Sequence, residues 1–505
     1  MITPSTTPRA STLDTRDRGN LIGGTWIAGA GPAFTSHDPA RDGAVVWRGA
    51  SADATQADAA VAAARKGYRA WSKVPYAERK AALLRLADTP PALVDALAEA
   101  ITLEMGKPIR ESKGEAQSLV AKLGASIAAH ERLPDLALEG APGRAVWRPH
   151  GVMAVIGPSN YPIHLMNTHV MPALLAGNSV ILKPSRVTPL SGQIYVELLQ
   201  RLGLPDGAVN LVVGTREVGG VLVGHKDVDA VAFTGSWDGG RRIMEACLDQ
   251  PHKLLALEMG GKNIAVVLDD AHLEQALHEI VLGACLTTGQ RCTATSRVVV
   301  AKRMAASFVP RLEAALSRVV PGDPFAQGTL MGPLATLSAR SDFHAALARA
   351  ERAGAVPLVQ SRAVDGGAFV TPSLHRVEPG AAPDVLRYRD TELFAPDVAL
   401  EVVDDDDAAL ERACKSTFGL SLSVFSAERA RFERFVEAAP WGLFNWNRST
   451  NNASGLLPFG GMGVSGNHRP AGSASALYCS RVTGVLEKAA GDYAADPLFA
   501  GVLAK

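Results

Sequence analysis

Cysteine is scarce in this chain: five among 505 residues, at Cys247, Cys285, Cys292, Cys414 and Cys479, with no Cys-x-x-Cys pair and no Cys/His spacing suited to zinc. The scarcity argues against a disulfide scaffold, predicts that no metal is bound, and fits a reducing cytoplasm. Net charge is missing too. Lys plus Arg and Asp plus Glu each number 51, so no overall field draws the protein to nucleic acid or to an anionic membrane. A small-molecule partner is expected instead. No apolar run approaches the roughly 18 residues that a membrane span needs. The opening MITPSTTPRASTLDTRDRGN has no apolar stretch like that of a signal peptide and reads as a disordered tail over residues 1–20.

What is present is enough apolar sequence, 47% of the chain, for two or three packed units. From about Ala54 to Leu133 apolar residues recur at helical spacing. After the break LEGAPGRA the pattern changes. Short β-branched runs, GVMAVIG, NSVILKP, VNLVVG and VDAVAFTG, alternate with helical MPALLAG, SGQIYVELLQRLGLP and EVGGVLVGH. A second such series begins near Asn263 and runs to about Asn447. Strand–helix alternation predicts two doubly wound α/β domains with mostly parallel sheets. The stretches around 132–150 and 470–490 read as extended arms. The acidic run Asp404–Asp407 is expected to favour the start of the helix that follows it.

Several short segments carry candidate chemistry. In GQRCTATS, Cys292 follows a turn signal and precedes a strand, where a side chain can face a cleft; Arg291 and local N–H groups would favour its thiolate. Read alone, it is as well explained as a small buried hydrophobe. In LLALEMGGKN a carboxylate ends an apolar strand just before Gly260 and Gly261. Burial would raise the pKa of Glu258 and suit it as a general base; an ion pair with Lys262 explains it equally well. In IGPSNYP, Asn160 lies between turn residues, as an amide donor to an oxyanion or as an ordinary Asx-turn. In VAFTGSWDGGRR a strand runs through a glycine turn into a helix, which aims N–H groups at an anion. Lys183-Pro184-Ser185 closes another strand, where ligands of open α/β sheets bind.

The ordered set GPSNYP, KPS, FTGS, LEMGGKN, GQRCT, TELFAP and PFGGMGVSG resembles the aldehyde dehydrogenase superfamily, over a span from about Ile22 to about Leu486. The resemblance implies a Rossmann-like cofactor domain over 21–131 and 151–257, a catalytic domain over 258–446, and a small β oligomerisation arm from 132–150 and 467–490 that bridges subunits in dimers or tetramers. It implies that Cys292 attacks the aldehyde and that Asn160 and the Cys292 N–H hold the oxyanion. Hydride then passes to a nicotinamide, and Glu258 activates the water that hydrolyses the thioester. Lys183 would bind the adenosine ribose, Gly235 and Ser236 would lie by the pyrophosphate, and Glu392 would hold the nicotinamide ribose with Phe394 beside it. Ile156, Pro158, Ser159, Ser185, Arg186, Gly214 and Gly240 complete the implied NAD site.

WRPHGVMAVIGPSNYPIHLMNTHVMPALLAGN, LALEMGG and FGGMGVSGNHRP resemble, more closely, the N-succinylglutamate 5-semialdehyde dehydrogenases of arginine catabolism. Carboxylates on such a substrate call for cations, and Arg291, Arg448, His468 and Arg469 are the candidates. Three positions depart from the pattern. Arg186 replaces a glutamate that binds ribose hydroxyls in NAD-using relatives, which keeps NADP as an alternative. Lys262 stands where the subfamily has asparagine, and Ala395 where glycine is usual. Rival readings are a dehydrogenase of another semialdehyde, an acylating enzyme that passes the thioester to coenzyme A, and a non-catalytic scaffold. Retention of Glu258 opposes the second, and the joint presence of Asn160, Glu258 and Cys292 opposes the third.

Overall fold

The computed structural model describes residues 13–468, 470–493, 496–499 and 502. Two seven-stranded sheets organise the chain. The first runs in the order Leu254–Met259, Ala230–Gly235, Val152–Ile156, Ser179–Lys183, Val209–Leu211, Asn20–Ile22, Thr25–Ile27. Its first five strands are mutually parallel; Asn20–Ile22 adds antiparallel to them, and Thr25–Ile27, antiparallel in turn, forms the edge. VMAVI and the centre of SVILK are continuously apolar, because both faces are covered. Met153, Val155, Val180 and Leu182 join one buried cluster, while Val152, Ala154 and Ile181 join another on the opposite side. The chain starts centrally at Val152–Ile156, builds outward to Val209–Leu211, then returns to add Ala230–Gly235 on the other flank. The crevice at that reversal, beyond the carboxyl ends of the strands, is where such sheets bind ligands.

The second sheet runs Val356–Val359, Ser373–Arg376, Asp397–Val403, Thr295–Ala301, Asn263–Val267, Ser421–Phe425, Leu443–Trp446, parallel except at Val356–Val359. It too has a buried cluster on each face. Helices Ala54–Trp71, Tyr76–Leu84, Pro91–Met105 and Ile109–His130 account for the helical stretch after Ala54. Gly143–Pro149 pairs antiparallel with Ser480–Leu486, two segments more than 300 residues apart in sequence. The acidic run starts a helix: Asp405 caps Asp406–Cys414 by accepting the Ala408 N–H.

The expected tail over 1–20 is corrected at its distal end. Residues 1–12 lie outside the described residues, but 13–20 pack onto the first domain. Asp17 accepts from the Gln193 amide at 2.7 Å, Arg18 pairs with Glu197 at 2.6 Å, and Asn20 begins a buried strand. Sequence order hides this because the contacts that hold the segment, Asp17 with Gln193 and Arg18 with Glu197, join residues far apart in the chain. Among the described residues no helix is long and apolar enough to cross a membrane, and no three His, Cys, Asp or Glu are grouped to hold a metal.

Candidate active site

The carboxyl ends of the first sheet face the amino ends of the second. Gly157 follows Val152–Ile156, Ser236 follows Ala230–Gly235, and Glu258 nearly ends Leu254–Met259. Opposite them, Gly261, Cys292 and Glu392 each sit a few residues ahead of the strands Asn263–Val267, Thr295–Ala301 and Asp397–Val403. Between the two lies a cavity of about 670 Å³. Ile156, Pro158, Ser159, Asn160, Lys183 and Ser185 line it. So do Arg186, Gly235, Ser236, Cys292, Glu392 and Phe394.

At one end, Asn160 does not make the local Asx-turn that its flanking sequence allows. Its Nδ2 donates to the Gln290 carbonyl at 2.9 Å, leaving its second amide hydrogen for a ligand. The loop holding it is pinned from below. Buried Lys107 donates to the Asn160 carbonyl at 2.9 Å and pairs with buried Glu115, whose Oε1 accepts the Ile163 and His164 N–H groups, each at 2.9 Å. Neither Lys107 nor Glu115 was marked by a sequence motif: Lys107 lies in the link between two helices, and Glu115 shows only as one residue of the second.

Glu258 is buried and pairs with no lysine, since Lys262 sits 3.8 Å from Asp397 instead. Its carboxylate oxygens meet no N–H or O–H donor among the described residues, and the group set against them is the Cys292 thiol. Burial, reinforced by the nearby charge of Glu392, raises it to about pH 8. Burial also pushes the Cys292 thiol well above its ordinary range, followed by the fields of Glu258 and Glu392. The expectation that Arg291 would favour the thiolate has the right sign but is outweighed. The guanidinium is turned aside: it pairs with Glu111 at 2.8 Å, donates to Thr287 at 2.9 Å and lies over the Tyr161 ring. Asn263 fixes the cysteine loop by donating to the Cys292 and Ala294 carbonyls at 2.7 and 2.9 Å.

Gly260 and Gly261 are needed for close approach. A β-carbon at Gly260 would strike the Glu392 carboxylate, and one at Gly261 the Cys292 carbonyl. The Gly261 N–H donates to Glu392 at 2.8 Å, and burial raises Glu392 to about pH 7. Phe394 takes a left-handed φ of 54°, whereas Ala395 is not among the positive-φ residues, which is why alanine is tolerated there.

The other end of the cavity suits a dinucleotide. Helices Arg216–Gly224 and Trp237–Ala246 both begin at it, and their free N–H groups favour an anion. Lys183 is buried with its ammonium on the Pro184 carbonyl at 3.0 Å, and burial lowers it to about pH 8. Exposed Arg186 stands beside it. Gly219 and Gly220, read only as part of a helix in the sequence, leave bare backbone against the cavity. Gly214 and Gly240 do not line it. A β-carbon at Gly214 would strike Ser51, and one at Gly240 the Met259 side chain, so both glycines serve packing. Glu258 lies behind Cys292 rather than on the wall.

Of the cations expected for the substrate, Arg291 is already paired. Arg448 is exposed and bonded to Asn452 at 3.3 Å; His468 is exposed; Arg469 lies outside the described residues. The segment around them grips the strand carrying Glu258: Asn467 accepts the Leu257 N–H at 2.8 Å and donates to the Leu255 carbonyl at 2.9 Å.

Residues 26–485 match the model of the aldehyde dehydrogenase family. A protein of Caulobacter sp. named N-succinylglutamate 5-semialdehyde dehydrogenase is 43% identical over 472 residues, covering 92% of this chain and 95% of its own. A protein of the same name from Klebsiella pneumoniae is 39% identical, covering 91% and 93%. Among solved structures, an indole-3-acetaldehyde dehydrogenase complexed with NAD+ superposes with a TM-score of 0.88 at 30% identity, over 94% of this chain and 97% of that one. Betaine aldehyde dehydrogenase from Staphylococcus aureus, in complex with NAD+, superposes with a TM-score of 0.87 at 27% identity, over 94% of each chain.

Proposed function

The chain belongs to the aldehyde dehydrogenase family, and from that premise we propose that its NAD(P)-dependent oxidation acts on N-succinyl-L-glutamate 5-semialdehyde, with Cys292, Glu258 and Asn160 carrying the chemistry. The observation that supports these roles is the approach of the half-buried Cys292 thiol to the buried Glu258 carboxyl, with an amide hydrogen of Asn160 left free on the cavity that Cys292 also lines. Ionised Glu258 takes the thiol proton, and the sulfur attacks the carbonyl carbon. Charge developing on the former carbonyl oxygen is met by Asn160 Nδ2 and the Cys292 N–H. The nicotinamide, when bound, supplies the acceptor for the hydride lost from that carbon. Cys292 then carries the acyl group as a thioester. Glu258, having released the thiol proton to solvent, takes a proton from water as the water adds to the thioester carbon; the carbon–sulfur bond then breaks and that proton passes to the departing sulfur, freeing the acid and the thiol.

Lys183, Ser236 and Glu392 hold the dinucleotide in this reading, along the cavity they line. The paired strands 143–149 and 480–486, with Val482 and Leu486 exposed, serve as the bridging arm of a homo-oligomer. The substrate assignment draws on relatives of about 40% identity that carry that name. A panel of aldehydes read by reduced-cofactor absorbance, with Cys292→Ala as the blank, tests it. Succinylglutamate semialdehyde should give the highest kcat/KM; no advantage over simple aldehydes would overturn the assignment. Arg469→Ala should raise KM for that substrate far more than for a neutral aldehyde.

A further inference from the structure

Helix Ile109–His130 turns one side toward the active site, at positions spaced by four, three and four residues. Glu111 holds Thr287 at 2.6 Å and Arg291 at 2.8 Å, under the loop that carries Cys292. Glu115 anchors the loop after Asn160. Ser118 lies 2.8 Å from His164 Nδ1, and the His164 ring packs edge-on to Tyr161 at 5.9 Å. The fourth position is Lys122. Its ammonium points at Gly455, where a β-carbon would lie 3.4 Å away. Loop 451–457 in turn reaches the nucleophile's neighbour, since Thr293 donates to Asn451 at 2.9 Å. One helix face therefore runs from the Cys292 loop, along the Tyr161–His164 wall, to the loop across from it.

Three cations belong to this face, and two are already neutralised: Arg291 by Glu111 and Lys107 by Glu115. Lys122 is half-buried, with no carboxylate in ion-pair range and no side-chain hydrogen bond among the described residues. Burial alone lowers its pKa, with no opposing anion, and its field reaches His164. A lysine serving only solubility would carry its ammonium out to water; this one is half-buried against Gly455, where an unpaired charge is costly.

We propose that Lys122 binds a carboxylate of the substrate and thereby selects carboxylate-bearing aldehydes. This rests on the substrate reading above and assigns it a residue that no sequence motif marks. Lengths agree. The helix rises about 16 Å between Glu111 and Lys122, and the lysine side chain leans back toward the helix start, shortening the reach. An extended succinylglutamate semialdehyde spans about 10 Å from its aldehyde carbon to its far carboxylate. Bound with the aldehyde at Cys292, it would bring that carboxylate toward the Lys122 end of the face, past the neutral imidazole of His164.

Lys122→Met, Lys122→Gln and Lys122→Arg are compared with the wild type on succinylglutamate semialdehyde, on succinic semialdehyde and on pentanal, each variant first checked by thermal melting. The two neutral variants should lose about tenfold or more in kcat/KM on the carboxylate-bearing aldehydes, mainly through KM. Pentanal should change less than about twofold, and Lys122→Arg should recover most of the loss. Equal losses on pentanal, or no loss on the acidic aldehydes, overturn the role of Lys122. A wild type that prefers succinic semialdehyde, with that preference erased by Lys122→Met, supports Lys122 while overturning the succinylglutamate assignment. A wild type preferring no carboxylate-bearing aldehyde overturns both.

Discussion

Cys292 and Glu258 sit in surroundings that oppose charge on either of them. Burial holds the thiol protonated and raises the carboxyl to about pH 8, so at neutral pH most of the pair rests uncharged. The proposed base works only when ionised, so thioester hydrolysis should quicken as pH climbs through about 8, and pre-steady-state deacylation rates across pH 6–9 will show it. Glu258→Gln should flatten that profile and lower the rate by roughly 10²–10⁴-fold. The same shift bears on stability. Below pH 4.5 the carboxyl is protonated folded or unfolded; between about 4.5 and 8 the unfolded chain sheds a proton that the folded one keeps, so the native state loses stability as pH rises. Glu258→Gln removes that loss, so its melting temperature should gain on the wild type from pH 5 to pH 8. A constant difference would contradict the buried-carboxyl account. At the other end of the cavity, Arg186 is exposed beside Lys183, where a cation favours a 2′-phosphate. Arg186→Glu should therefore raise KM for NADP at least about tenfold more than for NAD, as parallel cofactor titrations would reveal.

Loops become precise here because helices hold them. The Asn160 loop hangs on Lys107 and Glu115, both fully buried, so each compensates the other's lost hydration. Lys107→Met would leave Glu115 charged and buried. Unfolding free energy should fall by about 3–5 kcal/mol, and kcat should drop as the Asn160 amide loosens. Adding Glu115→Gln should return part of the stability, which equilibrium denaturation of single and double variants can measure. None of this is written in a motif. GKPIRESKGE shows a helix start and helical spacing, but a partner 53 residues away is needed before Lys107 has a role. The glycines were more legible. Two adjacent glycines, Gly260 and Gly261, that end an apolar strand mark a place where backbone can turn or be approached, and the approaching groups are Glu392 and Cys292. Gly214 and Gly240 fill packing roles instead, because the turn sequence alone does not say which side meets the ligand and which meets Ser51 or Met259.

On the scale of the whole molecule, the site is a seam between two sheets, one offering its carboxyl ends and the other its amino ends. The arm of 143–149 and 480–486 pairs only with itself among the described residues and exposes Val482 and Leu486. Under the bridging role proposed for these strands, replacing both with Asp should shift the protein toward smaller species in light scattering, while the cofactor cavity of a single subunit stays intact. The sequence by itself determined the class of architecture and the chemical vocabulary. Near-continuous apolar runs alternating with helical stretches point to parallel sheets covered on both faces, and a thiol, a carboxylate and an amide at strand ends have few places to point but the crevice. Tertiary structure alone decided the charges. Burial, which depends on contacts across hundreds of residues, raised Cys292 and Glu258, engaged Arg291 with Glu111, and left Lys122 as a cation without an anion. Residue type and local order are inherited from the chain, whereas electrostatic state is a property of the surroundings, and those exist only once the fold has closed.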